Sequence, residues 1–419
     1  MAGVDGERDA ACRPDVAPMA VDSSVVEDVQ VLPKYLVLYI ALYLAYGTES
    51  AFLPAFLQDH GLTLEQVGLL LATGTMVRII AGPIVGRVAD YTEARRAVLS
   101  AAACLSAVVG YAYNFAFGFA PLMGVSTVHA ASTASLAPLC DAMAVTASDR
   151  GRRFQYGGVR GAGSAAFIGG TLLSGHLIDR VGLSFIIIAS SVCFLIMSLA
   201  ALRLASSILR TSPSVDEIDV GGVVFLWRIC AFRRLILVAF LVIGSHALSD
   251  AFSVILWREA GYGSFAVSLL WSEAVVAEVV VFFLLGPWLI GRIGLARAAT
   301  LSAGAGILRW SVMANSTAAA PLIGVQALHG LTFALLHLAA MGVIARSVPN
   351  RLAATAQTIY GTGALGIASA SMTLASGYLF GLFGLHAFWA MAACCAIAVP
   401  FARGLLVKDK PWDGLRPSG

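Results

Sequence analysis

"YGGVRGAGSAAFIGG", residues 156–170, contains the string G-x-G-x-x-A with which dinucleotide-binding enzymes hold a pyrophosphate. That loop works only between a buried strand and a helix, where its backbone N–H groups converge on the phosphates. The rest of the chain excludes that setting. Of its 419 residues, 59% are hydrophobic and 12% charged, and mean hydropathy is +0.84, whereas an average soluble chain has about 25% charged residues. Such a chain belongs in a bilayer, and the stretch at 156 opens a membrane helix with no strand before it. Its glycines are packing and hinge residues: lipid tails give helices no hydrophobic reason to associate, so close backbone approach has to supply the attraction.

Working outward, runs long and apolar enough to cross a ~30 Å hydrocarbon core as helices fall at 34–58, 66–89, 96–117, 121–146, 157–178, 183–204, 234–257, 265–290, 298–316, 320–345, 353–379 and 386–406. This pattern predicts an all-α membrane protein of twelve transmembrane helices. Connections are short except at 205–233, where "RTSPSVDEIDVGG" reads as a linker. The expected organisation is a disordered tail at 1–30, a six-helix bundle at 31–204, a cytoplasmic linker at 205–233, a second bundle at 234–406 and a tail at 407–419. Residues 1–30 are acidic and lack the basic and apolar regions of a signal peptide.

Arginines and lysines crowd the tails and the loops on one side, from Arg87 and Arg150 through Arg210, Arg297 and Arg351 to Lys410, while the opposite loops hold Arg180 and Arg258. Basic residues are retained in the cytoplasm, so both termini are expected there. That bias also accounts for most of the positive charge, and a net charge of +3 gives no footing for nucleic acid. The seven cysteines fit neither a disulfide framework nor a zinc motif and read as buried small apolar residues, Cys394 and Cys395 included.

The opening stretch recurs. "YGGVRGAGSAAFIGGTLLSGHLIDRVGL" from Tyr156 resembles "YGTGALGIASASMTLASGYLFGLFGL" from Tyr360, and "GPIVGR" at Gly82 resembles "GPWLIGR" at Gly286, both about 200 residues apart. Parallel six-helix repeats related by an axis along the membrane normal are the arrangement of the major facilitator superfamily.

An ionised side chain at the bilayer centre costs roughly 2.5 to 3.5 kcal/mol even on permissive scales, so such residues mark a pathway or a pairing. The helices carry many: Glu49 and Arg78 on the first two, Asp141 and Arg160 on the fourth and fifth, then His246, Asp250, Glu273, Glu278, Arg309, His329 and His337. Glu49 with Arg78, and Asp141 with Arg160, read either as substrate ligands or as static pairs between helices. His246 and Asp250 are four apart and share a helical face. Counting inward from the helix ends puts His246, Glu278, Arg309 and His329 near the midplane. Glu278 is the expected proton carrier, with Glu49, Asp250 and Glu273 as alternatives, and His329 is either part of that relay or an interhelical hydrogen-bonder. Trp257, Trp271, Trp310 and Tyr262 read as interfacial or packing residues, with Trp271 or Trp310 stacking on a substrate ring as the alternative. His337 and Met341 are too few to hold a metal, and no cofactor is expected.

Beyond helix count, the loop "GRVADYTEARR" resembles the superfamily's G-x-x-x-D-R-x-G-R-R, keeping Gly86, Asp90, Arg95 and Arg96 but with Tyr91 for the first arginine and one extra residue. The resemblance implies a cytoplasmic gate, a salt bridge that breaks as the halves rock. Within the superfamily the chain most resembles the phenylpropionate permease group, relatives of lactose permease, in "GLLLATGTMVRIIAGP", "APLCDAMA", "GSHALSDAFSVILWREAGY", "LWSEAVVAEVVVFF", "GILRWSVMA" and "LHGLTFALLHLAAM". In lactose permease an acid on helix four and an arginine on helix five clasp the sugar; Arg160 matches that arginine, and Asp141 the acid to within one residue. Arg309 and His329 match an arginine and a histidine of its proton site. That protein's acid three residues after the histidine is Thr332 here, and its lysine three residues before is Gln326.

The expected activity is therefore proton-coupled symport of a small organic, aromatic carboxylate, by a monomer in the bacterial inner (plasma) membrane. A sugar or nucleoside symporter is the first alternative, with Arg160 and Asp141 grasping hydroxyls. A drug/proton antiporter is the second, although its usual G-x-x-x-G-P-x-x-G-G is replaced here by the proline-free "GAGSAAFIGG". No nucleophile-and-base motif suggests an enzyme.

Overall fold

The computed structural model describes residues 31–149, 154–204 and 220–405. The two tails, most of the linker, and Arg150, Arg152, Arg153, Arg210, Lys408 and Lys410 lie outside the described residues. The helices order as expected. In the first half they are α1 (Val31–Ser50, continuing as Leu53–Asp59), α2 (Leu64–Tyr91), α3 (Arg95–Ala112), α4 (Phe119–Thr133, then Leu136–Asp149), α5 (Tyr156–Val181) and α6 (Ser184–Leu202). A short helix, Val220–Arg228, leads into the second half. There follow α7 (Cys230–Gly244, then His246–Glu259), α8 (Ser264–Val280 to Gly286–Ile293), α9 (Leu295–Met313), α10 (Ala319–Gln326, resuming to Leu336–Ser347), α11 (Ala353–Ile359 to Ala368–Phe383) and α12 (Phe388–Arg403).

Among the described residues eight segments are long and apolar enough to cross a membrane on those grounds alone. The passes that fall short do so for local reasons: α4 is broken in two, α5 is diluted by glycine and serine, and α9 carries Arg297 and Arg309. Large apolar side chains such as Phe283, Leu284 and Leu382 stand more than 70% exposed on the outside of the bundle, where acyl chains take the place of water.

Several breaks have a legible cause. Pro54 cannot donate to the carbonyl of Ser50, so α1 is interrupted at residues 51–52. Pro138 does the same to Ala134 in α4, where Ser132 and Thr133 also turn their hydroxyls back onto the His129 carbonyl. Ser245 kinks α7 and donates to Val242 O at 2.6 Å. In the second half, α8, α10 and α11 each contain a wide π turn, at Val281–Leu285, Leu331–Leu335 and Tyr360–Ile367, a device often found at functional sites.

The packing follows the repeat: α1 lies on α5 and α6 as α7 lies on α11 and α12, and α3 on α6 as α9 on α12. Of the opening glycines, Gly163 and Gly170 pack as expected, whereas Gly157, Gly158, Gly161 and Gly169 have nothing within 4 Å. A methyl group at Gly163 would strike the Tyr43 ring, one at Gly170 the α1 backbone at Leu44, and one at Gly47 the α5 backbone at Phe167. The halves meet through α2 against α11 and α5 against α8. At the face away from the termini this contact is tight: a Cβ on Gly68 would lie 3.0 Å from the Cα of Gly377, and one on Gly175 would overlap the Ser268 hydroxyl. On the terminus-bearing side, Gly157, Gly158, Gly161, Gly361 and Gly363 have nothing within 4 Å beside them. The halves thus meet closely at the face away from the termini, with Gly366 still against Ile79 deeper in the bundle, and make no close contact at these glycines.

The cysteine expectation holds for Cys140, Cys193 and Cys395, which are buried, but Cys104 and Cys230 are exposed and Cys394 is half-buried. These three face outward from their helices, where lipid tolerates a small thiol as readily as a core does.

Candidate functional site

A cavity of about 440 Å³ lies between the halves, within the usual range of small-molecule sites. The first half contributes Ser50 of α1 and Phe167 of α5, and the second supplies His246 and Asp250 of α7, Trp271 of α8, Arg309 of α9, Gln326, His329 and Phe333 of α10, and Ser369 of α11. The wide turn at Leu331–Leu335 brings Phe333 into the wall one turn from His329. Asp250 is solvent-accessible, but the solvent it meets is the cavity.

Arg309 anchors the site. It is 2% exposed; Nη1 donates to His329 Nδ1 at 2.9 Å and Nη2 to Gln326 Oε1 at 2.7 Å. The guanidinium carbon lies 4.4 Å from the Trp310 ring centroid, and Trp310 is fixed in turn by its indole N–H donating to Ser245 Oγ at 2.8 Å. An arginine only donates, so His329 Nδ1 must be the acceptor and Nε2 carries the hydrogen. That Nε2 lies 3.6 Å from Glu278 Oε2. The imidazole thus stands between a fixed cation and a carboxylate.

His246 packs edge-on against His329 at 4.9 Å and Trp310 at 5.3 Å. It is 3% exposed, and neither of its ring nitrogens has a partner among the described residues. Nε of Arg309 is likewise unpartnered, and Arg309 forms no ion pair among the described residues. Polar atoms this well buried are costly to leave unsatisfied, so beside a cavity they are groups able to bind what enters it.

Depth along the helices puts His246, Glu278, Arg309 and His329 near one level, and the structure gathers these four with Asp250 and Trp271. Gln326, noted only as a departure from the resemblance, is an Arg309 ligand. Glu273 is half-buried on α8 and does not line the cavity. The expected pair of Asp141 and Arg160 does not form: Asp141 accepts from Tyr39 at 2.6 Å and Tyr156 at 3.0 Å, while Arg160 lies over the Tyr43 ring at 4.5 Å. Tyrosines intervene between them, and neither lines the cavity. Nor do Glu49 and Arg78 pair. Glu49 is buried 3.6 Å from His129 of α4, a residue not singled out from the sequence, and Arg78 is exposed on α2.

At the expected gate, Asp90 pairs with Arg95 through Nε at 2.8 Å and Nη2 at 2.6 Å. Arg96 donates to the Leu204 carbonyl at the end of α6, and Gly86 faces open space. These contacts lie within the first half. The loop turns at Glu93, whose φ of 51° is unusual for a residue with a side chain. At the opposite face a link spans the two halves: Asp179 of α5 accepts from the backbone N–H of Ser264 at 3.1 Å and from its hydroxyl at 2.5 Å, at the start of α8.

Two repeated six-helix halves around a polar, arginine-centred central cavity define a major facilitator transporter, a multi-pass membrane protein rather than an enzyme. The chain belongs to the MFS_1 like family, whose model matches residues 32–391. It is 33% identical over 359 residues to a probable 3-phenylpropionic acid transporter of Escherichia coli (strain K12), covering 84% of this chain and 92% of that protein. It is 26% identical over 378 residues to a maltose permease of Geobacillus stearothermophilus, covering 90% and 94%. Among solved structures, the nucleoside transporter NupG superposes with a TM-score of 0.78 at 13% identity, over 90% of this chain and 98% of that one.

Proposed function

We propose that the protein is a proton-coupled symporter that imports a small organic carboxylate bearing an aromatic group, by alternating access about the central cavity. The observation that carries this reading is Arg309: a buried guanidinium without a carboxylate partner, beside an unpartnered His246, in a cavity walled by Trp271, Phe333 and Phe167. Asp250 acts on Arg309 across the cavity without pairing with it; a substrate carboxylate can make the direct pair, and a guanidinium fork suits it bidentately. The aromatic walls suit a ring. The relative described as a probable 3-phenylpropionic acid transporter supports this substrate class.

His329 links the proton to the substrate. While neutral it accepts from Arg309 at Nδ1; when Nδ1 takes up a proton from the cavity it no longer accepts, and the imidazolium, its Nε2–H still toward Glu278, repels the guanidinium. Arg309 is then released toward the substrate carboxylate, and the loaded carrier reorients. Glu278 is the carboxylate that stabilises the imidazolium. With the terminus-bearing face in the cytoplasm, as the basic loops indicate, the uncrowded glycine ends of α5 and α11 open the cavity inward. One carboxylate entering with one proton carries no net charge, so the proton gradient drives that step; each further proton would add about 2.3 kcal/mol per 100 mV of membrane potential. Arg160 and Asp141 belong to a tyrosine cluster beside the pathway, and we assign them to substrate passage or to the packing of α1 on α5.

A second reading, a neutral sugar or nucleoside as cargo, is favoured by the uncharged polar lining of Gln326, Ser249 and Ser369 and by the names of the maltose and nucleoside transporters to which the chain is similar. A thermal-shift screen of the purified protein against aromatic carboxylates, sugars and nucleosides separates them, since a ligand stabilises what binds it. Stabilisation by carboxylates that Arg309→Gln abolishes is expected; stabilisation by sugars or nucleosides alone would replace the first reading with the second.

A further inference from the structure

Glu49 and His129 are the deepest acid and base that the central cavity does not use. Glu49 is 7% and His129 2% exposed, and neither lines the cavity, although the neighbouring Ser50 does. Glu49 Oε1 lies 3.6 Å from His129 Nδ1. On the far side of the ring, Nε2 has no partner, and neither has the buried hydroxyl of Ser191 on α6. Both lie against Gly110 of α3, where a Cβ would come within 3.0 Å of Ser191 Oγ and 3.5 Å of His129 Nε2, so a glycine lets α3 pack this closely on the pair.

The surrounding groups fix the chemistry. Tyr113 of α3 packs edge-on against His129 at 5.6 Å, with its hydroxyl bonded to Ser126 at 2.8 Å. Phe194 of α6 closes another side at 5.9 Å. Tyr46 of α1 is bonded to the Thr133 carbonyl, and Arg78 of α2 supplies the nearby positive charge felt by Tyr46, Tyr113 and His129. No second carboxylate among the described residues pairs with His129. A carboxylate and an imidazole this close are coupled, so a proton is taken up or released by the pair as a unit.

The second half has a comparable pair: His329 sits at 3.6 Å from Glu278, with Arg309 as the local cation, and it stands 329 − 129 = 200 residues after His129, although Glu278 is on α8 and Glu49 on α1. We propose that Glu49 and His129 form a second proton-binding site in the first half, separate from the Glu278 and His329 pair and outside the substrate cavity.

The test is titration rather than transport, so it does not depend on the coupling assigned to Glu278. Full-length protein labelled with ¹⁵N-histidine is reconstituted in nanodiscs, and its imidazole signals are followed by NMR from about pH 5 to about pH 9, the range around the ordinary histidine value. The signal lost in His129→Gln identifies His129. In wild type it should titrate; in Glu49→Gln its midpoint should fall by about one pH unit or more as the protonated ring loses its counter-charge, and in Glu278→Gln it should stay put. A His129 ring that keeps one protonation state throughout, or a midpoint indifferent to Glu49→Gln, overturns the proposal. Should His129→Gln fail to fold, the infrared carboxyl band of Glu49, assigned as the band missing from Glu49→Gln, gives the second measurement. A pH-dependent band supports the site and an invariant one refutes it.

Discussion

His129 and His329 each stand on the fourth helix of their bundle, about one turn apart by the repeat offset, and each is 3.6 Å from a buried or half-buried carboxylate, Glu49 and Glu278. They differ in their access to substrate. His329 lines the central cavity and accepts from Arg309, whereas His129 is enclosed among α1, α3, α4 and α6. This asymmetry assigns substrate-linked protonation to the second half and leaves the first half a counterpart outside the cavity.

The role of Glu278 makes a kinetic prediction. Glu278→Gln keeps the shape of the side chain and removes its charge, so the imidazolium of His329 loses its stabiliser. Uphill uptake should fall to background while exchange of labelled for unlabelled substrate, which needs no net proton movement, continues near the wild-type rate. Counterflow measured beside gradient-driven uptake checks this; equal loss of both would assign Glu278 to substrate binding or folding instead.

Arg309 binds two partners at once and lies over Trp310. Arg309→Lys keeps the charge and loses the fork. Hydrogen bonds to charged groups contribute roughly 1.5–3 kcal/mol, and about 1.4 kcal/mol is tenfold in affinity. Substrate affinity, read by isothermal titration or by KM, should weaken roughly 10- to 100-fold, with a thermal midpoint close to wild type.

The link between Asp179 and Ser264 joins the halves at the face away from the termini. Asp179→Ala removes a cap from the start of α8, a change worth about 0.5–2 kcal/mol. The population opened toward that face should rise by about 2- to 30-fold, seen as longer distances between spin labels placed on α5 and α8 at that end. An unchanged distance distribution would mean that the glycine contacts alone hold the face shut.

Those glycines can be tested in the same assay. A side chain at Gly175 overlaps Ser268, so Gly175→Val should wedge α5 from α8 and hold the halves apart at that face. Accumulation should drop several-fold or more, with the protein still folded; a variant that transports normally would show that α8 can shift aside.

Much of the fold could be read from apolar run length, because a bilayer imposes one helix length and one repeat offset aligned the halves. The breaks were harder. Pro54 and Pro138 stand in the sequence, but which proline breaks a helix depends on how neighbouring helices re-satisfy the freed carbonyl. Depth counting placed Arg309, His329, Glu278 and His246 together because depth is set by rise per residue. It failed for Asp141 with Arg160 and for Glu49 with Arg78, because equal depth does not set rotation about the helix axis, and tyrosines or His129 claimed those partners. His129 was within reach: the offset that aligns Tyr156 with Tyr360 nearly aligns it with His329.

The central claim is that the Arg309 cavity moves an organic acid together with protons. Its most direct measurement is uptake of labelled 3-phenylpropionate into proteoliposomes, with the exterior made acidic relative to the lumen and then with that gradient collapsed by a protonophore. Accumulation above the external concentration that vanishes on collapse, and that Arg309→Gln abolishes, is the expected result. Uptake of equal extent with and without the proton gradient would contradict the account.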